Sequence, residues 1–139
     1  MPRLLKFVCF IACLSVSLWS YGQSSKYPDK SIELVVLFPV GSSSDVVARI
    51  FADNLSKELG VPIVVNNKPG AGGNIGAEIV SKSAPDGYTW LMASVGTHGI
   101  NLPLYTQGGG KLPYDPIKDF TPITLVARSE EHTSELQSH

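Results

Sequence analysis

The sequence predicts an α/β domain built on a mainly parallel sheet with flanking helices. Three observations carry that expectation. Residues 32–38 (IELVVLF) form a β-rich, almost uninterrupted apolar run. From Asp45 the apolar residues recur at spacings of three and four, the period of a helix. The alternation then repeats as strand, helix, strand, with a Gly- and Ser-rich loop after each apolar run, an order that pairs strands in parallel through helical crossovers.

Residues 32–38 read as a strand buried on both faces, because neither parity of the run is polar. Ser43 or Ser44 is placed to cap the following helix and Gly60 to end it. The core stripe of that helix is Val47, Ile50, Phe51, Leu55 and Leu59. Residues 61–66 (VPIVVN) are a second short strand, and the loop Lys68-Pro69-Gly70-Ala71-Gly72-Gly73 leads to a second helix carrying Ile75, Ala77, Ile79 and Val80. Pro85-Asp86-Gly87 makes a turn. Residues 89–94 (TWLMAS) are a third strand, followed by the loop Val95-Gly96-Thr97-His98-Gly99. Beyond Ile100 the pattern loosens: residues 105–120 hold three glycines and two prolines. They read as a long surface connection, closed by a fourth strand at residues 121–126.

Both ends read as foreign to this domain. Arg3 and Lys6 precede a twelve-residue apolar run, residues 7–18, and Ser20 and Gly22 lie at the minus-three and minus-one positions of a cut after Gly22. Such an order is the anatomy of a secretory signal peptide, residues 1–22, and the run falls short of the ~20 residues that span a bilayer. Both cysteines, Cys9 and Cys13, lie inside it, so the processed chain has neither a disulfide nor a thiol to use. At the other end, residues 128–139 (RSEEHTSELQSH) back-translate to a string resembling a widely used sequencing-library adapter. They are expected to be a non-native tail, leaving residues 23–127 as the domain.

The whole chain has eleven basic and twelve acidic residues, a formal net charge of −1. This balance offers no electrostatic footprint for nucleic acid or an anionic membrane. In an open parallel sheet, ligands collect at the carboxyl ends of the strands, where helix N-termini point. Three loops leave such ends here, residues 39–44, 67–73 and 95–99, and all are rich in Gly, Ser and Thr. A P-loop is excluded because no lysine follows the glycines. The dinucleotide fingerprint fails because Ile75 stands where its last glycine belongs, with Gly76 one residue late. The residues 41–45 (GSSSD) supply the first glycine of a nucleophile elbow but not the second, which leaves a secreted serine hydrolase using Ser43 and His98 as the alternative. A single histidine outside the tail gives no metal site. What remains is capture of an anion by backbone N–H groups and hydroxyls at helix N-termini, without a cofactor and without chemistry.

The segments YPDKSIELVVLFPVGSSSDVVARI, NNKPGAGGNIGAEIVSKSAPDGYTWLMASVGTHGIN and LPYDPIKDFTPITLVA, spanning residues 27–127, resemble the Bug-type, or TctC-like, extracytoplasmic solute receptors of tripartite tricarboxylate transporters. The resemblance implies a periplasmic binding protein of the Venus-flytrap kind, of which this chain is part of the first lobe, with the second lobe missing. It implies a small carboxylate as ligand (a di- or tricarboxylate, an acidic amino acid or an aromatic acid) and membrane transporter subunits as partners. Carried over position by position, it implies a ligand site of Phe38, Pro39, Gly41, Ser42, Ser43 and Asp45 in the first loop, Ala71, Gly72, Gly73 and Asn74 in the second, and Thr97 and His98 in the third. Asp45 is expected to organise the first loop more than to touch an anion. The family usually has two glycines where this chain has Gly41-Ser42, so a strained Ser42 is expected if that position requires positive φ. A chain lacking its second lobe is further expected to expose apolar surface and to be an inactive fragment if it cannot close a cleft.

Overall fold

In a computed structural model, residues 26–127 are described; the expected signal peptide and the adapter-like tail lie outside them. Three strands, β1 (Ile32–Val36), β2 (Ile63–Asn67) and β3 (Thr89–Met92), form one parallel sheet in the order β2-β1-β3. Helix α1 (Ser43–Leu59) connects β1 to β2, and α2 (Asn74–Ser81) connects β2 to β3. This is the α/β architecture that the alternating periods predict. The central strand explains the continuous apolar run: Leu34 and Val36 face α1, while Val35 and Leu37 are buried on the other side.

The helices contact the sheet through smaller residues than the stripes in the sequence suggest. On α1, Ala48 and Ala52 are buried against Leu34 and Val36, with Phe51 beside them, whereas Ile50 is exposed. On α2, Gly76 and Ala77 are buried and Ile75 and Ile79 are exposed. The reason is distance: a Cβ on Gly76 would stand 2.6 Å from Leu37 Cδ2 and 2.9 Å from the Lys68 carbonyl, so only a small face lets α2 sit this close. Gly60 ends α1 in the left-handed conformation, φ 71°, with its N–H on the Ser56 carbonyl. Nothing lies within 4 Å of a Cβ there, so Gly60→Ala is expected to cost only the left-handed penalty, about 1 kcal/mol. Urea unfolding checks it, and a loss beyond twice that size would contradict the open surroundings.

After β3 the structure departs from the expected loop and surface connection. Residues Gly96–Ile100 form a π-helical turn that runs into α3 (Asn101–Gln107). Within the expected surface connection, Leu112 and Tyr114 are each only 5% exposed and pack with Ala77 in a second core cluster. The expected fourth strand at residues 121–126 does not form: the segment pairs with no strand among the described residues, and Ile123 and Leu125 are 68% and 77% exposed. A strand is stable only on a partner edge, and apolar alternation alone does not supply one.

Candidate functional site

All three strands run the same way, so the loops that follow them gather at one edge of the sheet. The first loop leaves β1 through Phe38, Pro39 and Val40. Its left-handed residue is Gly41, φ 84°, while Ser42 is extended at φ −67°, so Ser42 carries no strain. Ser42, not Ser43 or Ser44, is the N-cap of α1, and its hydroxyl accepts the Asp45 N–H at 3.3 Å. No acceptor for the N–H groups of Ser43 and Ser44 is found among the described residues, as the first turn of a helix dictates.

Asp45 is 2% exposed and turned away from the loop's outer surface. Its Oδ2 accepts from the Gly41 N–H at 2.9 Å and Arg49 Nε at 3.0 Å. Its Oδ1 accepts from Asn67 Nδ2 at 2.9 Å and pairs with Arg49 Nη2 at 2.9 Å. Both oxygens are thereby occupied. The hydrogen bond from Arg49, then those from the Gly41 N–H and Asn67, hold this carboxyl far below the usual carboxylate range, against the opposing effect of burial. The folded value lies below the unfolded one, so the pairing stabilises the fold above about pH 4, and its contribution falls away as the pH drops below that. Between pH 5 and pH 3 the native chain should therefore lose stability along a slope that Asp45→Asn lacks, measured as urea midpoints at each pH. Parallel slopes would contradict the pairing.

The second loop is conformationally unusual. Gly70, Ala71, Gly72 and Gly73 all have positive φ, of 130°, 48°, 64° and 94°, and Ala71 is the one non-glycine of the described residues to do so. Gly73 ends the run at the N-terminus of α2, where its Cα lies against Thr97 and Leu37. Asn74 follows and is 4% exposed. Its Oδ1 accepts from Asn101 Nδ2 at 2.6 Å and from the Tyr114 hydroxyl at 2.9 Å. Its Nδ2 is the one buried side-chain polar atom among the described residues without a hydrogen-bond partner.

In the third loop Thr97 is fully buried. Ser94 and Thr97 cap each other reciprocally, with the Ser94 N–H on Thr97 Oγ1 at 3.3 Å and the Thr97 N–H on Ser94 Oγ at 3.4 Å. Thr97 Oγ1 lies 2.9 Å from His98 Nδ1, and the His98 ring packs edge-on to Phe120 with centroids 4.7 Å apart. Burial lowers the His98 pKa below its ordinary value, so the ring is neutral at physiological pH. No hydrogen bond joins His98 to Ser43 among the described residues; its hydroxyl partner is Thr97.

The three loops are tied together. Asn67 Nδ2 reaches from the end of β2 to the Phe38 carbonyl at 3.0 Å, joining the first loop to the second. Tyr114, within the expected surface connection, donates to Asn74 Oδ1 and lies 3.1 Å from the Thr97 carbonyl, joining the second to the third. Pro39, Gly41, Ser43, Ala71 and Gly72 are exposed, and Phe38, Ser42 and His98 are half-buried. Asp45, Gly73, Asn74 and Thr97 lie beneath them. The resulting surface offers backbone N–H groups and hydroxyls, with no group of three or more metal-ligating side chains among the described residues.

A parallel sheet with helices on both faces, and short glycine-rich loops gathered at its carboxyl edge, is the architecture of a periplasmic-binding-protein lobe. The chain belongs to the tripartite tricarboxylate transporter family receptors, whose family model matches residues 47–132. Protein BugT of Bordetella pertussis is 38% identical over 128 residues, 91% of this chain and 37% of BugT. MatC from Rhodopseudomonas palustris, solved with bound malate, superposes with a TM-score of 0.67 at 41% identity, over 72% of this chain and 33% of that one. A second R. palustris protein, Rpa4515 with adipate, superposes with a TM-score of 0.59 at 37% identity, over 65% of this chain and 29% of that one. The chain thus spans about a third of the length of the relatives it matches.

Proposed function

We propose that this chain is part of an extracytoplasmic receptor that captures a small carboxylate at the three-loop edge and passes it to membrane subunits of a tripartite transporter. The observation that carries the reading is the convergence of three donor-rich loops, whose one charged side chain is Lys68, with the N-termini of α1 and α2, where N–H groups can hold an anion. The free N–H groups of Ser43 and Ser44, the hydroxyl of Ser42 and the exposed backbone of Ala71 and Gly72 are the donors. Malate and adipate in the structures of similar proteins support a dicarboxylate. The N-terminal apolar run supports secretion to the periplasm. Because Asp45 is wholly engaged, it puts no free lone pair where an anionic solute would meet it.

Binding to the folded state alone raises stability by mass action. At 100 times its dissociation constant, malate should add about 2.7 kcal/mol. The check is thermal unfolding, across a panel of malate, adipate, glutamate and benzoate, of a receptor of its relatives' full length that contains this chain. A melting temperature indifferent to all four contradicts the reading.

A further inference from the structure

We propose that Asn67 and Arg49 are positioning residues for the carboxylate site: together with Asp45 they fix the shape of the first loop and its distance from the second, without touching the solute. The inference rests on the receptor reading above and extends it. Four donors from three places converge on the Asp45 carboxylate: the Gly41 N–H from the loop, Nε and Nη2 of Arg49 from α1, and Nδ2 of Asn67 from β2. Asn67 Nδ2 also donates to the Phe38 carbonyl at 3.0 Å, and Asn67 Oδ1 accepts from Arg49 Nη2 at 3.1 Å. The first loop is therefore held at both ends, Phe38 and Gly41, by a network anchored on the last residue of β2. That residue is also where the second loop begins, so one side chain sets the gap between the two loops.

A network made only for stability need not close on the loop backbone. Here one of the four donors on a buried carboxylate is the backbone N–H of an exposed loop glycine, Gly41. Arg49 adds a second effect: it neutralises Asp45, which would otherwise stand as a like charge behind an anion site. Charge-assisted bonds of this kind are the strong and directional ones, suited to holding N–H groups in register.

The test compares Asn67→Ala and Arg49→Met with Ser56→Ala in the full chain. Ser56 joins α1 to β2 through the Val61 carbonyl and the Ile63 N–H, at 2.7 and 3.0 Å, and so loosens the same two elements without reaching the loop. Expected is a malate affinity about tenfold weaker in Asn67→Ala and Arg49→Met, equal to about 1.4 kcal/mol. Ser56→Ala should melt earlier yet bind malate as the unaltered chain does. The Gly41 amide resonance should move in the first two variants and stay in the third. Unchanged affinity in Asn67→Ala despite lowered stability overturns the proposal. If the unaltered chain binds no carboxylate, the receptor reading fails by itself, and the Gly41 amide still decides the clamp: an unmoved resonance in Asn67→Ala refutes it and a moved one upholds it.

Discussion

Gly73→Ala is expected to lower the unfolding free energy by about 3 kcal/mol, the sum of two penalties. The residue has φ 94°, which costs a side chain about 1–2 kcal/mol. The new methyl would also stand 2.9 Å from Thr97 Cγ2 and 3.2 Å from Leu37 Cβ. Both neighbours are buried and cannot swing aside, and overpacking of that kind costs about 1–3 kcal/mol. Against a total of about 5–15 kcal/mol for a domain, such a loss is large. Gly76→Ala meets an even closer neighbour, yet it sits inside α2, where alanine regains about 1 kcal/mol of helix propensity. The ordering Gly73→Ala worse than Gly60→Ala, read from urea midpoints, separates a crowded left-handed glycine from an open one. Equal losses would mean that the second and third loops are not in contact.

The almost uninterrupted run IELVV announces a central strand because both parities carry buried apolar residues, with Glu33 alone partly exposed, and the order of periods announces parallel pairing. Helix stripes mislead for a physical reason. Ile50, Ile75 and Ile79 have the right spacing, but the close approach needed at the sheet selects Ala48, Ala52 and Gly76 instead, and of the expected α2 stripe it is Ala77 that is fully buried. Small residues carry little hydropathy, so a pattern weighted by apolar size passes over them. The cap falls at Ser42, one or two residues before the expected Ser43 or Ser44, because three consecutive serines are chemically equivalent caps and only the backbone turn at Gly41 decides among them.

The candidate site is partly legible. Gly41, Gly70 and Gly72 mark backbone turns that any reading of glycine finds, and Asp45 at a helix start reads as an organiser. Asp45 and Arg49 stand one helical turn apart, a spacing the sequence does show, but their link to Asn67 escapes notice because it joins residues 18 and 22 positions apart. A residue pair that meets only in the folded chain leaves no local signal. The helical turn at Gly96–Ile100 escapes because two glycines and a histidine look like a loop, whereas the mutual caps of Ser94 and Thr97 start a helix there.

Tyr114 shows how much a loop-like composition can hide, and its removal is the second large effect expected. It is flanked by prolines and glycines, yet it is buried with Leu112 and Ala77. Its ring meets Phe120 edge-on at 5.8 Å, and its single hydroxyl proton lies between two acceptors, Asn74 Oδ1 at 2.9 Å and the Thr97 carbonyl at 3.1 Å, one from each of two site loops. Truncation to alanine removes a large buried aromatic and leaves a cavity, a loss of about 4 kcal/mol. Tyr114→Phe keeps the ring and deletes only the hydroxyl, costing about 1 kcal/mol for the buried hydrogen bond lost, since Asn74 Oδ1 keeps the Asn101 donor. The two variants therefore divide packing from loop tethering. Tyr114→Ala should remove the cooperative transition or shift its urea midpoint by more than any surface change, while Tyr114→Phe should melt a few degrees lower and release the Asn74 side chain, seen as altered Asn74 amide resonances. If Tyr114→Phe leaves those resonances and the melting point untouched, the hydroxyl does not hold the loops, and residues 105–120 are the passive connection that their composition suggests.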